Sequence, residues 1–273
     1  MRISVRFIFA VIAASIFSVS VASASDSVFT NLSSAKGEAS RLVSEARDLA
    51  SKPFDIENGG VWQTLGIAGV TGLAYLFDND IRTRIQNIKS ESADKAAKAG
   101  SFVGDPFLHL GFAALVYGGG VLADSPKHRD IGLMLGEAAL LADATTFVLK
   151  EAIGRARPFV GGEKGSFRPF QFRNDYDSLP SAHTASSFAM ASVVAATSES
   201  VPVKLLSYGT ALFVGFSRMY QDKHWASDAV LGAAIGEICG RVVINTHVRQ
   251  GSKVRLAPAV SSNAVSLAMV GYW

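Results

Sequence analysis

Cys239 is the only cysteine in the 273 residues, which excludes an internal disulfide framework and a cysteine-based metal site. Set between Ile238 and Gly240 in an apolar run, it reads as a buried structural thiol. The 23 acidic residues form no recognisable ligand spacing, so neither a metal nor another cofactor is expected. A long Lys/Arg stripe interleaved with aromatics is missing as well, which argues against nucleic acid as a partner despite the formal net charge of +3. That excess sits at the start of the chain: without Arg2 and Arg6 the balance falls from 26 basic against 23 acidic residues to 24 against 23. No internal repeat stands out. Uninterrupted apolar runs of the roughly 20 residues that a membrane-spanning helix needs are scarce too.

With 49% hydrophobic and 18% charged residues, the chain can bury one large core. Residues 1–24 read as a secretory signal: a basic start, an apolar stretch from Phe7 to Phe17, and a cleavage site at Ala22-Ser23-Ala24. An uncleaved anchor has the same apolar chemistry and stays open as the alternative. Over 25–55, Leu42, Ala46, Leu49 and Ala50 recur among charges at helical spacing until Pro53, predicting an amphipathic helix. This helix would either dock on the main body or lie on a membrane surface.

Six apolar stretches follow within a helical domain over 56–250: Val61 to Phe77, Phe107 to Ala123, Ile131 to Leu149, Ala185 to Thr197, Val203 to Phe216 and Ala229 to Ile244. Their length and lack of strict alternation predict an all-α bundle with about six core helices. Most fall short of a full span, and the third contains Glu137 and Asp143, which would be costly in lipid. The reading therefore favours a compact exported body in the cell envelope, periplasmic, over six full spans, with membrane association or insertion left open. Over 251–273, alternating Val265, Leu267 and Met269 around Ser261-Ser262-Asn263 predict a β-hairpin tail.

Three constellations carry chemistry. Lys150 and Arg157-Pro158 close the third apolar stretch and open a long Gly- and Pro-rich loop, where Pro158 steers Arg157 into an extended turn. Pro180-Ser181-Ala182-His183 leads into the fourth stretch, with Ser181 placed to cap a helix whose free amides make an anion site. Ser217-Arg218 and His224 precede the sixth, and Asp228 lies four residues beyond His224, on the same helical face if a helix begins there. That spacing would let a carboxylate accept a hydrogen bond from one imidazole nitrogen and aim the other outward. Taken singly, each has an ordinary structural reading: cations complementing a helix dipole, a capped helix start, a surface His–Asp pair. Together they set cations, a helix N-terminus and two histidines at the ends of apolar segments.

The combination Lys-x6-Arg-Pro, Pro-Ser-x-His and Ser-Arg-x5-His-x3-Asp resembles the type 2 phosphatidic acid phosphatase superfamily, whose signature is shared with class A acid phosphatases and vanadium haloperoxidases. The motifs cover Lys150 to Asp228, and flanking helices could extend the likeness over about Val61 to Val248. Ala182 departs from the pattern, which usually has Gly there; a backbone amide still serves if its φ is negative.

The resemblance implies that Lys150, Arg157, Arg218, Ser181 and the backbone at Ala182 bind phosphate without a metal. It implies further that His224 attacks phosphorus, Asp228 holds its imidazole, and His183 protonates the leaving group and then activates water. His109, His128 and His247 lack a matching frame and read as structural or solvated. The implied partner is a phosphorylated lipid, phosphatidate-like or undecaprenyl pyrophosphate, or a small phosphate ester. A soluble periplasmic acid phosphatase, a vanadate-dependent haloperoxidase and a non-catalytic binder of lipid phosphate are the alternatives.

Overall fold

The computed structural model describes residues 28–161, 163–251, 254–261 and 264–271. The expected signal over 1–24 lies outside the described residues. Nine helices are present among them: α1 (Val28–Ser51), α2 (Gly60–Leu76), α3 (Asp78–Asn87), α4 (Glu91–Val103), α5 (Pro106–Leu122), α6 (Pro126–Ile153), α7 (Ala182–Thr197), α8 (Val201–Tyr220) and α9 (Ala226–Gly251). The chain divides into two units, one ending at Arg47 and the other spanning Asp48–Trp273. Within the described residues the first contributes most of α1, and the second contains its end from Asp48 and α2 to α9.

The six apolar stretches correspond to α2, α5, α6, α7, α8 and α9. Missing from that reading are α3 and α4, whose sequences are too polar to register as apolar runs. Both are amphipathic, and Ile81, Ile85, Ala93 and Ala97 from them pack with Met219 and Tyr220 in a small separate core. The helix starts follow capping chemistry. Ser90 accepts a hydrogen bond from the Ala93 amide at the start of α4, and Asp105 accepts from Phe107 and Leu108 ahead of Pro106 in α5. Gly154 ends α6 at φ 63°, where a Cβ would lie 2.0 Å from the Arg168 carbonyl oxygen, so the turn into the long loop requires glycine.

Leu135, Ala138 and Ala142 of α6, Ala185, Ala189 and Val193 of α7, and Ile235, Cys239 and Val243 of α9 form the main core. Cys239 is buried there, as its apolar surroundings implied. The α7–α9 contact is backbone-close. A Cβ added at Gly232, Gly236 or Gly240 would sit 2.6 Å from Ser181 O, 2.1 Å from Ala185 O and 2.6 Å from Ser192 Cβ respectively. This four-residue glycine repeat brings the starts of α7 and α9 side by side, and those starts carry His183 and Asp228.

The outer surface is apolar to a degree unusual for a body in water. Trp62, Leu65 and Leu73 on α2, Leu115 and Leu122 on α5, and Leu205, Leu206 and Leu212 on α8 are all exposed, Leu122 at 91%. Pro126–Ile153 and Ala226–Val248 are each long and apolar enough to cross a membrane. Two further pairs, Gly60–Leu76 with Asp78–Asn87 and Glu91–Val103 with Pro106–Leu122, pass the same test together but are bent by 56° and 54°. The preference for a compact body over spanning helices therefore changes. Glu137 and Asp143, which weighed against a span, are buried on the inner side of α6 and need not meet lipid. The hairpin expected over 251–273 falls where side chains lie outside the described residues, and the helical architecture does not rest on it.

Candidate active site

The long loop between α6 and α7 is tied down by its own backbone. Arg157 N donates to Asp175 O at 2.9 Å, Ser178 N to Arg155 O at 3.0 Å and Arg168 N to Gly154 O at 2.7 Å. It thereby folds back over the end of α6, where Lys150 is buried in the last turn and donates from Nζ to the Asp177 carbonyl. Arg157 follows in extended backbone, φ −75° and ψ 151°, as Pro158 predicts. Its Nε donates to Asp177 Oδ1 at 2.7 Å, and one terminal nitrogen reaches Lys223 O at 3.2 Å and lies 3.5 Å from His224 Nε2. Asp177 thus braces both cations.

Ser181 caps α7, accepting from Thr184 N at 3.4 Å and from Thr184 Oγ1 at 2.9 Å, while its own amide donates to Asp228 O at 3.0 Å. Ala182 is the first helical residue, so its φ is negative and its amide is one of those no preceding carbonyl can satisfy. The Gly-to-Ala departure therefore leaves the backbone donor in place. Arg218 stands in the last turn of α8; one terminal nitrogen donates to Ser101 Oγ at 2.9 Å, and its buried Nε meets no hydrogen-bond partner among the described residues.

His224 is buried just ahead of α9. Its Nδ1 lies 2.8 Å from Ser178 O. A carbonyl only accepts, so Nδ1 carries the proton and Nε2, facing Arg157, keeps its lone pair. The expected hydrogen bond from the imidazole to Asp228 is not formed: Asp228 Oδ2 stands 3.6 Å from Nδ1. Asp228 occupies the third position of α9 and turns back on its own helix start, accepting from Trp225 N at 2.9 Å and from Ser178 Oγ at 2.5 Å, while Oδ1 accepts from Arg155 at 2.6 Å. The carboxylate holds the residue that holds His224.

Burial pushes the His224 imidazole well below its usual pKa, and Arg157, Lys150, Arg218 and His183 push it further in the same direction. Burial likewise lowers His183, with Arg218, Lys150 and Arg157 adding to it. The three cations that act on one histidine act on both, so the structure brings Lys150, Arg157, Arg218, His183 and His224 to one place. Arg218 is itself lowered to about 10, by burial and then by Arg157. An anion between these groups would relieve all of these costs.

Sequence reasoning passed over Arg155, Asp78, Ser178 and Asp177. Arg155 lies inside the Lys-x6-Arg frame and was detectable as a charge ahead of Ala156-Arg157; nothing in the spacing links Asp78 to it across 77 residues. Of the remaining histidines, His128 pairs with Ser125 at 2.7 Å and His247 with Glu137 at 2.5 Å, whereas His109 pairs with Ser186 at 2.9 Å and is near enough to His183 to add to its lowering.

Residues 131–252 match the PAP2 superfamily, a segment that contains all eight predicted site residues. Two curated relatives are lipid A 1-phosphatases. The Porphyromonas gingivalis protein is 40% identical over 102 residues, 35% of this chain and 22% of that one. The Rhizobium etli protein is 29% identical over 130 residues, 47% of this chain and 55% of that one. The chain thus spans about half the length of the second relative and less of the first. Among solved structures, the first transmembrane PAP2 type phosphatidylglycerolphosphate phosphatase from Bacillus subtilis shares the fold, with a TM-score of 0.55 at 18% identity, covering 71% of this chain and 98% of that one.

Proposed function

We propose that this chain, which belongs to the PAP2 superfamily through residues 131–252, is a metal-independent phosphatase acting on a lipid-borne phosphate through a phosphohistidine intermediate. One observation carries the reading: three cations from the end of α6, the following loop and the end of α8 act on two histidines, half-buried His183 at the start of α7 and buried His224 just ahead of α9. Phosphoryl transfer needs positioning and charge stabilisation on the equatorial oxygens more than covalent help, and a fixed cationic cradle supplies both.

Lys150, Arg157, Arg218 and the amide of Ala182 would hold the phosphate oxygens, with Ser181 fixing the turn that presents that amide. His224 Nε2 has the lone pair and attacks phosphorus in line; the imidazolium that results is stabilised by the nearby Asp228 carboxylate. His183 gains a proton once the anion offsets the cradle's field, passes it to the leaving oxygen, and then takes one from the water that cleaves the phosphohistidine.

The lipid assignment draws on the apolar exterior and on the helices long enough to span. Lipid A 1-phosphatase relatives favour a phosphorylated glycolipid over phosphatidate or undecaprenyl pyrophosphate as the first substrate to try. An integral envelope protein with its site reached from the membrane surface fits these features. A C-terminal hairpin pairing Val254–Ser261 with Ala264–Gly271 belongs to the same reading.

The test compares phosphate release in chelator by wild-type and His224→Ala protein from lipid A, phosphatidate, undecaprenyl pyrophosphate and a soluble aryl phosphate. Release from a lipid that is lost in the variant is expected. A His224→Ala protein with wild-type rates sinks the nucleophile assignment, and release from the aryl phosphate alone replaces the lipid phosphatase by a soluble-ester one.

A further inference from the structure

Arg155 fills an unspecified position within the Lys-x6-Arg-Pro motif, yet its side chain is 0% exposed and every nitrogen is used. One terminal nitrogen donates to Asp228 Oδ1 at 2.6 Å and to Ser227 Oγ at 2.7 Å; the other donates to Asp78 Oδ2 at 2.8 Å, and Nε donates to Lys164 O at 3.0 Å. The guanidinium lies against Tyr75 and Trp225, 4.9 and 5.3 Å from the ring centroids. Asp78, the first residue of α3 and equally buried, completes the ring by accepting from Ser227 N at 2.9 Å and Ser227 Oγ at 2.6 Å. Ser178 is held twice, its amide on the Arg155 carbonyl at 3.0 Å and its hydroxyl on Asp228, and its own carbonyl takes the proton of His224 Nδ1.

We propose that Arg155 and Asp78 are positioning residues for phosphoryl transfer, acting on His224 through Asp228 and Ser178. The inference rests on the reading of His224 as the nucleophile. A buried ion pair is weak evidence for stability, because apolar groups of similar volume often replace one without loss. Its value here is directional. With Arg155 and Asp78 in place, the Asp228 carboxylate points one oxygen at Ser178, and the Ser178 carbonyl keeps the proton on Nδ1. Without them Ser178 loses its fixed acceptor, and His224 also populates the tautomer with the proton on Nε2. That tautomer has no lone pair at the reacting nitrogen. The cradle of Lys150, Arg157 and Arg218 is untouched, so the loss falls on kcat and not on KM.

The experiment uses the full chain in detergent and compares wild type, Asp78→Asn and the double variant Arg155→Met with Asp78→Asn. The double variant keeps the net charge of the buried cluster and removes its direction. Asp78→Asn is expected to lower kcat by about ten- to a hundredfold, as loss of an outer hydrogen-bond partner does elsewhere, with KM within about twofold on the same principle of an intact cradle. The 15N spectrum of His224 should move from the Nδ1-protonated pattern towards the Nε2-protonated one. Arg155→Met alone is made for comparison, and the double variant should melt nearer to wild type than it does while its kcat stays low. Wild-type kcat with an unchanged His224 spectrum in Asp78→Asn overturns the proposal, as does a double variant that regains kcat together with stability. If wild type releases phosphate from no ester, the phosphatase reading falls, and the His224 spectrum alone still decides whether Arg155 and Asp78 set its tautomer.

Discussion

The imidazole of His224 is oriented by the backbone carbonyl of Ser178, 2.8 Å from Nδ1, while the carboxylate of Asp228 stands off at 3.6 Å. A directly bonded His–Asp pair and this arrangement predict different behaviour. Asp228→Asn removes the charge that stabilises the imidazolium and loosens Ser178, so kcat should fall by about 10² or more, within the range for groups that assist proton and charge transfer. Phosphate affinity should hold, because the cradle residues are not bonded to that carboxylate. Steady-state kinetics with orthophosphate as a competitive inhibitor separates the two; a Ki that rises in step with the loss of kcat would place Asp228 in the cradle instead.

The amide at position 182 can be deleted without disturbing the helix. Ser181 has φ −77° and ψ 111°, which suits a residue ahead of proline, and the first helical position tolerates proline because its N–H has no intrahelical partner. Ala182→Pro should therefore keep the fold and its melting temperature while lowering kcat by about 10² to 10³, the usual effect of losing one preorganised backbone donor. Ala182→Gly should change kcat by less than about threefold, since it restores nothing the backbone lacks. Near wild-type turnover in Ala182→Pro would remove that amide from the site.

Much of this site was legible in sequence because its parts obey local rules. Ser181 caps a helix, Pro158 extends Arg157, and six apolar stretches mark six helices, each set by neighbours within a few residues. What escaped notice is settled across long separations or on polar helices. Asp78 meets Arg155 across 77 residues at the bend between α2 and α3, and Ile81, Ile85, Ala93 and Ala97 face a small core between charges that mask their periodicity. The Asp228–His224 spacing gave the right neighbours and the wrong bond. Four residues on a helix face brings them close, but His224 precedes α9, so the carboxylate bonds to the helix start and Ser178 fills the gap.

Burial and then the cations of the proposed cradle hold His183 and His224 neutral, His183 down to about 2. A bound dianion offsets that field, so binding should draw protons onto the site. Sulfate stays dianionic between about pH 5 and 8, so any pH dependence over that window belongs to the protein. Its affinity should strengthen as pH falls, most for wild type and less for His183→Asn. The same shifts fix the sign for stability. Groups whose folded pKa is depressed stabilise fully above the unfolded value near 6.5 and lose that contribution as pH falls towards the folded value, so acid should destabilise the protein and sulfate should protect it. Calorimetric titration and melting curves at pH 5 and 8 check both; sulfate affinity that does not vary with pH would mean that neither histidine takes up a proton on binding.

Gly236 links the packing to the chemistry. A Cβ there would fall 2.1 Å from Ala185 O, a contact with backbone that cannot rotate away, so α7 and α9 must separate. Gly236→Ala should destabilise the protein by about 1–3 kcal/mol, the cost of overpacking a close interface. Separation of the two helices also pulls His183 and the amide of Ala182 on α7 away from His224 and Asp228 at the start of α9. Catalysis should then suffer more than the melting temperature implies, since displacement of about 1 Å costs roughly 10² in rate. A Cβ at Gly209 on α8 would meet no atom within 4 Å, so Gly209→Ala is the matched control and should keep kcat while leaving the melting temperature unchanged or raising it, as Ala does in a helix interior. Equal effects from the two substitutions would mean that the glycine repeat does not set the spacing of the site.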